Sequence, residues 1–330
     1  MQVLLTFTGF HDPYVKGLIG QEEQPGRLRV PYGLERCTST TGHCEAMIMF
    51  KTVANEVWVF DAEWVPDPAA GRVLYKLPDT LTDREVVEEM WQRNGATDDD
   101  PMPYLKTILC RVVSIAVVIR RVAQDGEVKL LLRSLPEQVD CPADCDETVI
   151  LSRFLTGLGQ RKPQLVGFNS QAADLKIFVQ RSIIKGISAP EFCRRPDKPW
   201  EGKDYFARGS DWHIDLKEIV SSWGKAMPSL HELATLSGIP GKMDIDGKRV
   251  AEMWLEGAIK GIVQYNECDA LTTYLVWLRT AYFGGFFTAE AYREEQEHVR
   301  ALITEKAQSP HYAHLIAYRE EWDRLRAIGR

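Results

Sequence analysis

The sequence predicts an α/β fold, in which a mixed β-sheet is flanked by helices. An apolar run rich in β-branched and aromatic residues at 57–66 predicts a buried strand. Runs at 112–119 and 128–132, joined at Asp125-Gly126, predict a β-hairpin. Helical segments separate these strands from a further strand at 164–168. Strands, a hairpin and intervening helices together indicate a mixed sheet.

The composition is that of a soluble globular protein. The 330 residues are 45% hydrophobic and 26% charged, with no run as long as a membrane span and no signal-peptide pattern at the start. A net charge of -7 argues against a protein that coats nucleic acid through bulk electrostatics. Seven cysteines without regular spacing suit reduced thiols, so we expect a cytoplasmic protein with no membrane partner.

The chain divides into three parts. Residues 1–55 lack a clear hydrophobic period, and we expect an N-terminal extension of unclear role. Residues 56–287 hold the predicted sheet and its helices. Residues 288–330 are charged and amphipathic, which predicts a C-terminal helical extension.

Between the strands, four segments have assignable structure. Gly71–Lys76 is expected to form a short strand. Thr82 and Glu85 have the spacing of a capping box at the start of a helix that ends near Arg93. Apolar spacing predicts further helices at 148–158 and 172–184.

Two acids interrupt the first strand. Asp61 and Glu63 are two residues apart, so both side chains point to the same face. Burying two like charges side by side is costly unless a cation neutralises them. The pair is therefore a candidate platform for a divalent metal, and the alternative is a solvated turn.

Further acids occur at two helices. Asp174 falls in or just before the first turn of the predicted helix, where it is either functional or an acid that interacts with the helix dipole. Tyr265 and Asp269 are four residues apart on a helix and share one face, whereas Glu267 faces elsewhere.

These acids fall into three motifs in a fixed order, which are Asp61-x-Glu63, Asn169 through Asp174, and Tyr265-x-x-x-Asp269. The ordered set resembles the DEDD 3′→5′ exonucleases of the RNase H-like fold. It is similar to the tyrosine subclass, which includes the proofreading domains of family B DNA polymerases, because the histidine of the other subclass is replaced by Gln264. The nearer resemblance, over about residues 56 to 290, is to bacterial proteins predicted as relatives of that domain.

The resemblance implies an RNase H-like domain over 56–287 with 3′→5′ exonuclease activity. Two divalent ions, Mg²⁺ or Mn²⁺, would be held by four carboxylates, those of Asp61, Glu63, Asp174 and Asp269. Tyr265 would orient the attacking water. The substrate would be single-stranded nucleic acid with a free 3′ end, and the product a nucleoside 5′-monophosphate.

Candidate substrate contacts are Asn169, Trp200 and Lys203. The last two belong to a segment, 194–208, that interleaves cations and aromatics, a composition suited to single strands. The alternative is a solvated loop with a few anchoring aromatics. Asp215 is expected to cap a helix, and His213 to be structural.

Two other functions fit the same pattern. One is a nucleic-acid-binding protein that keeps the fold without turnover. The other is a regulated effector in which residues 1–55 control the activity.

Overall fold

The β-branched and aromatic runs of the sequence form one sheet, whose central strand contains the paired acids. The computed structural model describes residues 50–198, 201–207, 209–221, 227–243 and 247–328. Trp200 and most of the predicted N-terminal extension lie outside the described residues.

Five strands within the described ranges form the sheet, and they are β1 (Glu56–Pro66), β2 (Cys110–Val122), β3 (Val128–Leu135), β4 (Gln164–Gly167) and β5 (His213–Asp215). Their order in the sheet is β3-β2-β1-β4-β5. β1, β2 and β3 are antiparallel neighbours, whereas β4 runs parallel to β1 and β5 parallel to β4. The sheet is therefore mixed, as the sequence predicts.

The helices of the described chain are α1 (Pro68–Tyr75), α2 (Asp83–Arg93), α3 (Glu147–Arg161), α4 (Asp174–Lys185), α5 (Pro190–Cys193), α6 (Leu216–Ser221), α7 (Leu230–Leu236), α8 (Val250–Leu255), α9 (Ile259–Phe283), α10 (Ala289–Lys306) and α11 (His314–Ile328).

Alternate residues of β1 pack on opposite faces of the sheet. Val57 and Val59 join the cluster around α9. Phe60 joins the other cluster, where its ring lies 5.8 Å from Phe154 of α3 and 5.9 Å from Phe178 of α4. The core therefore has a layer on each face of the sheet.

The predicted hairpin and capping box are confirmed. Gly126 adopts φ 86° in the turn between β2 and β3, a conformation that glycine tolerates. Thr82 precedes α2, and its side chain and that of Glu85 exchange the hydrogen bonds of a capping box. Local sequence signals are sufficient for both features.

Gly71–Lys76 was predicted as a strand, and this prediction is wrong because the segment lies mostly within α1. The helix begins after Asp67, whose carboxylate accepts a hydrogen bond from the Ala69 amide, and Pro68 occupies the first helical position. Gly71 faces α2, where a Cβ atom would lie 2.6 Å from Met90 Sδ. The capping signal and the close helix contact outweigh the apolar character of the segment.

The C-terminal helices α10 and α11 pack onto the layer around α9. Val299 and Trp322 are buried in that cluster. Arg120 of β2 and Glu295 of α10 form a buried ion pair. The chain division after residue 287 stays a prediction.

None of the helices in the described part of the chain is long and apolar enough to cross a membrane.

Candidate active site

The site lies where β1 continues beyond the end of its parallel neighbour. The pairing of β1 with β4 ends at Val59 and Val166, and β4 itself ends at Gly167. From Phe60 onward, the edge of β1 on this side has no strand partner among the described residues. Side chains from the following loop and helix can therefore approach this edge.

Four carboxylates lie around one cavity there. Oxygens of Asp61 and Glu63, on one face of β1, lie within 4.8 Å of one another and of an oxygen of Asp269 on α9. Asp174 is the first residue of α4, and it lines the same cavity as Asp61, Ala62 and Glu63 of β1. The strand and both helices thus contribute acids to the same place.

Burial and mutual repulsion disfavour the charged forms of these acids. Loss of hydration raises the pKa of Asp61 and of Glu63 well above the usual range, and the neighbouring carboxylates raise it further. Burial raises the pKa of Asp174 to about 7 and that of Asp269 to about 6. A cluster of carboxylates with raised pKa values is stabilised by bound cations.

Asn266 orients the first of these acids. Its side-chain amide donates a hydrogen bond to Asp61 Oδ2 at 2.7 Å, and its carbonyl oxygen accepts one from Ser114 Oγ at 2.9 Å. This chain of hydrogen bonds joins α9 to β2 and β1. Sequence reasoning missed Asn266, although it lies three residues before Asp269 and hence near that residue's face of the helix.

Tyr265 and Asp269 share a face of α9, as predicted. The Tyr265 hydroxyl interacts with the Asp269 carboxylate and partly offsets the raised pKa of that carboxyl. Burial raises the pKa of Tyr265, and the nearby acids raise it further. The ring packs in a cluster with Val65 and Val113, so the side chain is 5% exposed. Tyr265 therefore fills the core with its ring and meets the acids with its hydroxyl. Glu267 faces away, where it accepts a hydrogen bond from Ser134.

Asp215 fixes the loop that leads into α4. Its carboxylate accepts a hydrogen bond from the amide of Lys217, which is the predicted cap, and two more from the amides of Asn169 and Gln171. Asn169 adopts a left-handed backbone with φ 64°, a conformation that asparagine tolerates. Asp215 is thus a support for the site rather than one of its acids.

Two histidines near the site are structural. His213 Nε2 lies 2.9 Å from Ser170 Oγ, and burial lowers the pKa of this imidazole to about 4. His231 Nδ1 accepts a hydrogen bond from the backbone amide of Lys242. His213 therefore stays neutral and holds the loop before α4, whereas His231 holds the loop after α7.

An open cavity of about 480 Å³ lies over the carboxylates. Two lysines on its wall, Lys217 and Lys242, were missed by sequence reasoning. Lys217 Nζ donates to Asn169 Oδ1 at 3.2 Å, and the positive charge of Lys242 partly offsets the raised pKa values of Glu63 and Asp269. The cavity thus combines acids at its floor with cations at its wall.

Of the described candidates for substrate contact, Asn169 lines this cavity and Lys203 does not. The Lys203 ammonium donates to the backbone carbonyl of Lys162 and lies 4.5 Å from the centre of the Trp212 ring. Lys162 comes just before β4, at the end of that strand opposite to the carboxylates. The composition of segment 194–208 does not show where in the fold Lys203 lies.

The sheet and its flanking helices define an α/β protein of the RNase H-like class, with an acidic site at the free edge of the central strand. Within this class, the chain belongs to the family described as predicted 3′-5′ exonucleases related to the exonuclease domain of PolB, whose family model matches residues 102–322. A search of curated proteins finds no match. The matched part contains Asp174, Tyr265 and Asp269, whereas Asp61 and Glu63 precede it and reach the site on β1.

Proposed function

We propose that this protein is a metal-dependent 3′→5′ exonuclease of the tyrosine DEDD subclass. It removes nucleoside 5′-monophosphates one at a time from the 3′ end of single-stranded nucleic acid. The observation that supports this function is the convergence of carboxylates from β1, α4 and α9 on a single cavity with lysines on its wall. Family membership supports the same reaction.

The residues fit two divalent cations. All four ligands are carboxylates, and hard oxygen ligands suit Mg²⁺ and Mn²⁺. Burial raises the pKa values of Asp174 and Asp269, so a bound cation would favour the charged forms that act as ligands. Asp61, Glu63 and Asp269 would hold one ion, and Asp61 and Asp174 the other. When bound, the pair activates a water and stabilises the charge that develops on the phosphate.

The chain's own groups position the reactants. Asn266 keeps the Asp61 carboxylate turned toward the cavity through the hydrogen bond at 2.7 Å. The Tyr265 hydroxyl, which interacts with the Asp269 carboxylate, would orient the attacking water once substrate is bound. Lys242 and Lys217 meet the negative charge of the phosphodiester.

The cavity suits the terminal part of a nucleic-acid strand. Its volume of about 480 Å³ lies within the ~300–1,000 Å³ of typical small-ligand pockets, and its open mouth leaves the rest of the strand in solvent. Because the net charge is -7, binding depends on these local cations rather than on the overall field. Seven cysteines without regular spacing favour a cytoplasmic setting for this activity.

The test uses single-stranded DNA and RNA of equal length, 5′-labelled in linear form and internally labelled in circular form. We expect linear strands to shorten stepwise from the 3′ end with release of 5′-mononucleotides, and circles to resist. Chelator should stop the reaction, and Asp61→Asn should abolish it. Circles cut as fast as linear strands, or full activity in chelator, would contradict the proposal.

A further inference from the structure

Helix α9 continues well past the carboxylates, and its last turns line a second space. Along the helix axis, Phe283 lies about 21 Å beyond Asp269 at a rise of ~1.5 Å per residue. One face of α9 lines this space together with α6 and α7, and its main lining residues are Ile219, Leu233, Ser237, Val276, Arg279 and Phe283. We call it the α7–α9 pocket. None of its described lining residues also lines the carboxylate cavity, so the two spaces are separate.

The α7–α9 pocket is small, open and largely apolar. Its volume of about 360 Å³ is near the lower end of the ~300–1,000 Å³ of typical ligand pockets. Val276, which is 2% exposed, closes it toward the core, and Ile219 and Leu233 add aliphatic side chains. A pocket of this size admits one apolar side chain with its adjoining backbone, rather than a whole helix.

The apolar surface continues beyond the pocket. Phe283 lines the pocket and is 80% exposed. Leu236 of α7 directly precedes the lining residue Ser237 and is 90% exposed. Large apolar side chains that are exposed together beside a pocket are typical of interaction surfaces. This surface therefore suits a ligand whose chain continues over the rim, as a peptide does.

Arg279 is the cation among the described lining residues, and neutral groups hold it in place. Its Nε donates to the Tyr292 hydroxyl at 2.6 Å, and its Nη2 donates to the carbonyl of Ser237 at 3.1 Å. Its guanidinium carbon lies 5.4 Å from the centre of the Tyr292 ring, which stacks on Tyr282. Within the described chain no carboxylate pairs with Arg279, so the pocket presents an oriented positive charge to an anion.

We propose that the α7–α9 pocket binds the C-terminal residue of a partner protein, with an aromatic or large aliphatic side chain in the pocket and the α-carboxylate on Arg279. A C-terminal residue has both groups on one Cα atom, so one residue meets the apolar lining and the guanidinium. An internal peptide segment has no backbone carboxylate and lacks this charge complementarity. Because the carboxylate cavity is a separate space, the partner would be held beside the site and would leave it open.

The test is fluorescence anisotropy with an N-terminally labelled peptide, Gly-Ser-Gly-Ser-Leu-Phe, that has a free C-terminal carboxylate. We expect saturable binding, and about 10-fold weaker binding of the same peptide as its C-terminal amide, since the charged hydrogen bond is lost. Arg279→Gln should reduce the affinity for the acid to that for the amide and leave the amide unaffected. Phe283→Ala should weaken both peptides by about 2- to 13-fold, because a ring–ring contact is removed. Arg293→Gln replaces an exposed arginine of α10 outside the described lining and should match wild type.

The comparison of acid and amide on wild type decides the proposal without reliance on any variant. Equal affinity for the two peptides would overturn it, and so would the absence of binding up to about 1 mM protein. Phenylacetate, a small acid with the same two chemical groups, should displace the peptide only at a much higher concentration than unlabelled peptide does. Displacement at equal concentration would overturn the assignment to a peptide. The assay needs no turnover, so its result is independent of the proposed exonuclease function.

Discussion

Replacement of Asp269 by asparagine should stabilise the metal-free protein at neutral pH. The side chain is buried with 8% exposure, and burial raises the pKa of its carboxyl from 3.8 to about 6. One pKa unit corresponds to about 1.4 kcal/mol, so the charged form costs the folded state about 3 kcal/mol. Asparagine keeps the shape of the side chain but removes this charge.

The gain in the free energy of unfolding depends on pH, and its pH dependence follows from the upward shift of the Asp269 pKa. An acid whose pKa is raised on folding does not lower the free energy of unfolding at pH values below its unfolded pKa. The free energy of unfolding falls as the pH rises from the unfolded pKa through the folded pKa. The advantage of Asp269→Asn should therefore be absent near pH 4, grow up to about pH 6 and stay constant above it. Urea denaturation in chelator, repeated at several pH values, measures this difference.

The matched control is Asp79→Asn, because Asp79 is exposed in the loop before α2. It should change the free energy of unfolding by less than ~0.5 kcal/mol at every pH. Added Mn²⁺ should stabilise wild type more than Asp269→Asn, since the variant lacks a ligand. A variant less stable than wild type at pH 8 in chelator, or an advantage that is largest at pH 4, would refute the reasoning.

Two further predictions concern the residues around these acids. Tyr265→Phe should lower kcat by about 10²–10⁴-fold with an unchanged melting temperature and Mn²⁺ affinity, because only the hydroxyl is lost; a wild-type rate would make Tyr265 purely a core residue. Arg181→Met should cost about 3–5 kcal/mol of stability by urea denaturation, since it leaves the carboxylates of Glu147 and Asp67 buried without the guanidinium that they share. A loss below ~1 kcal/mol would contradict that role.

The acids were predictable because local geometry decides which side chains share a face. Alternation along a strand brings Asp61 and Glu63 to one face, and the helical repeat does the same for Tyr265 and Asp269. The sequence predicts Asp174 at the start of a helix, and only the resemblance to the DEDD exonucleases assigns it to the site. The structure adds the distances among the carboxylates, which no spacing rule supplies.

The remaining features depend on contacts between distant segments. Asn266 is recognisable as a partner of Asp61 only once α9 lies against β1. Lys217, on α6, and Lys242, in the loop after α7, reach the cavity only through the packing of distant segments, which the sequence does not specify. Gly71 illustrates the opposite error, because its neighbours suggest a strand while the Asp67-Pro68 capping signal and the contact with Met90 produce a helix.

Crystals grown or soaked with Mn²⁺ offer the most direct test that the carboxylates form a two-metal site. An anomalous difference map should show two peaks about 3.5–4 Å apart in the cavity. Their ligands should be the carboxylates of Asp61, Glu63, Asp174 and Asp269, and Asp269→Asn crystals should lose at least one peak. A cavity without manganese, or peaks held by other side chains, would contradict the two-metal site.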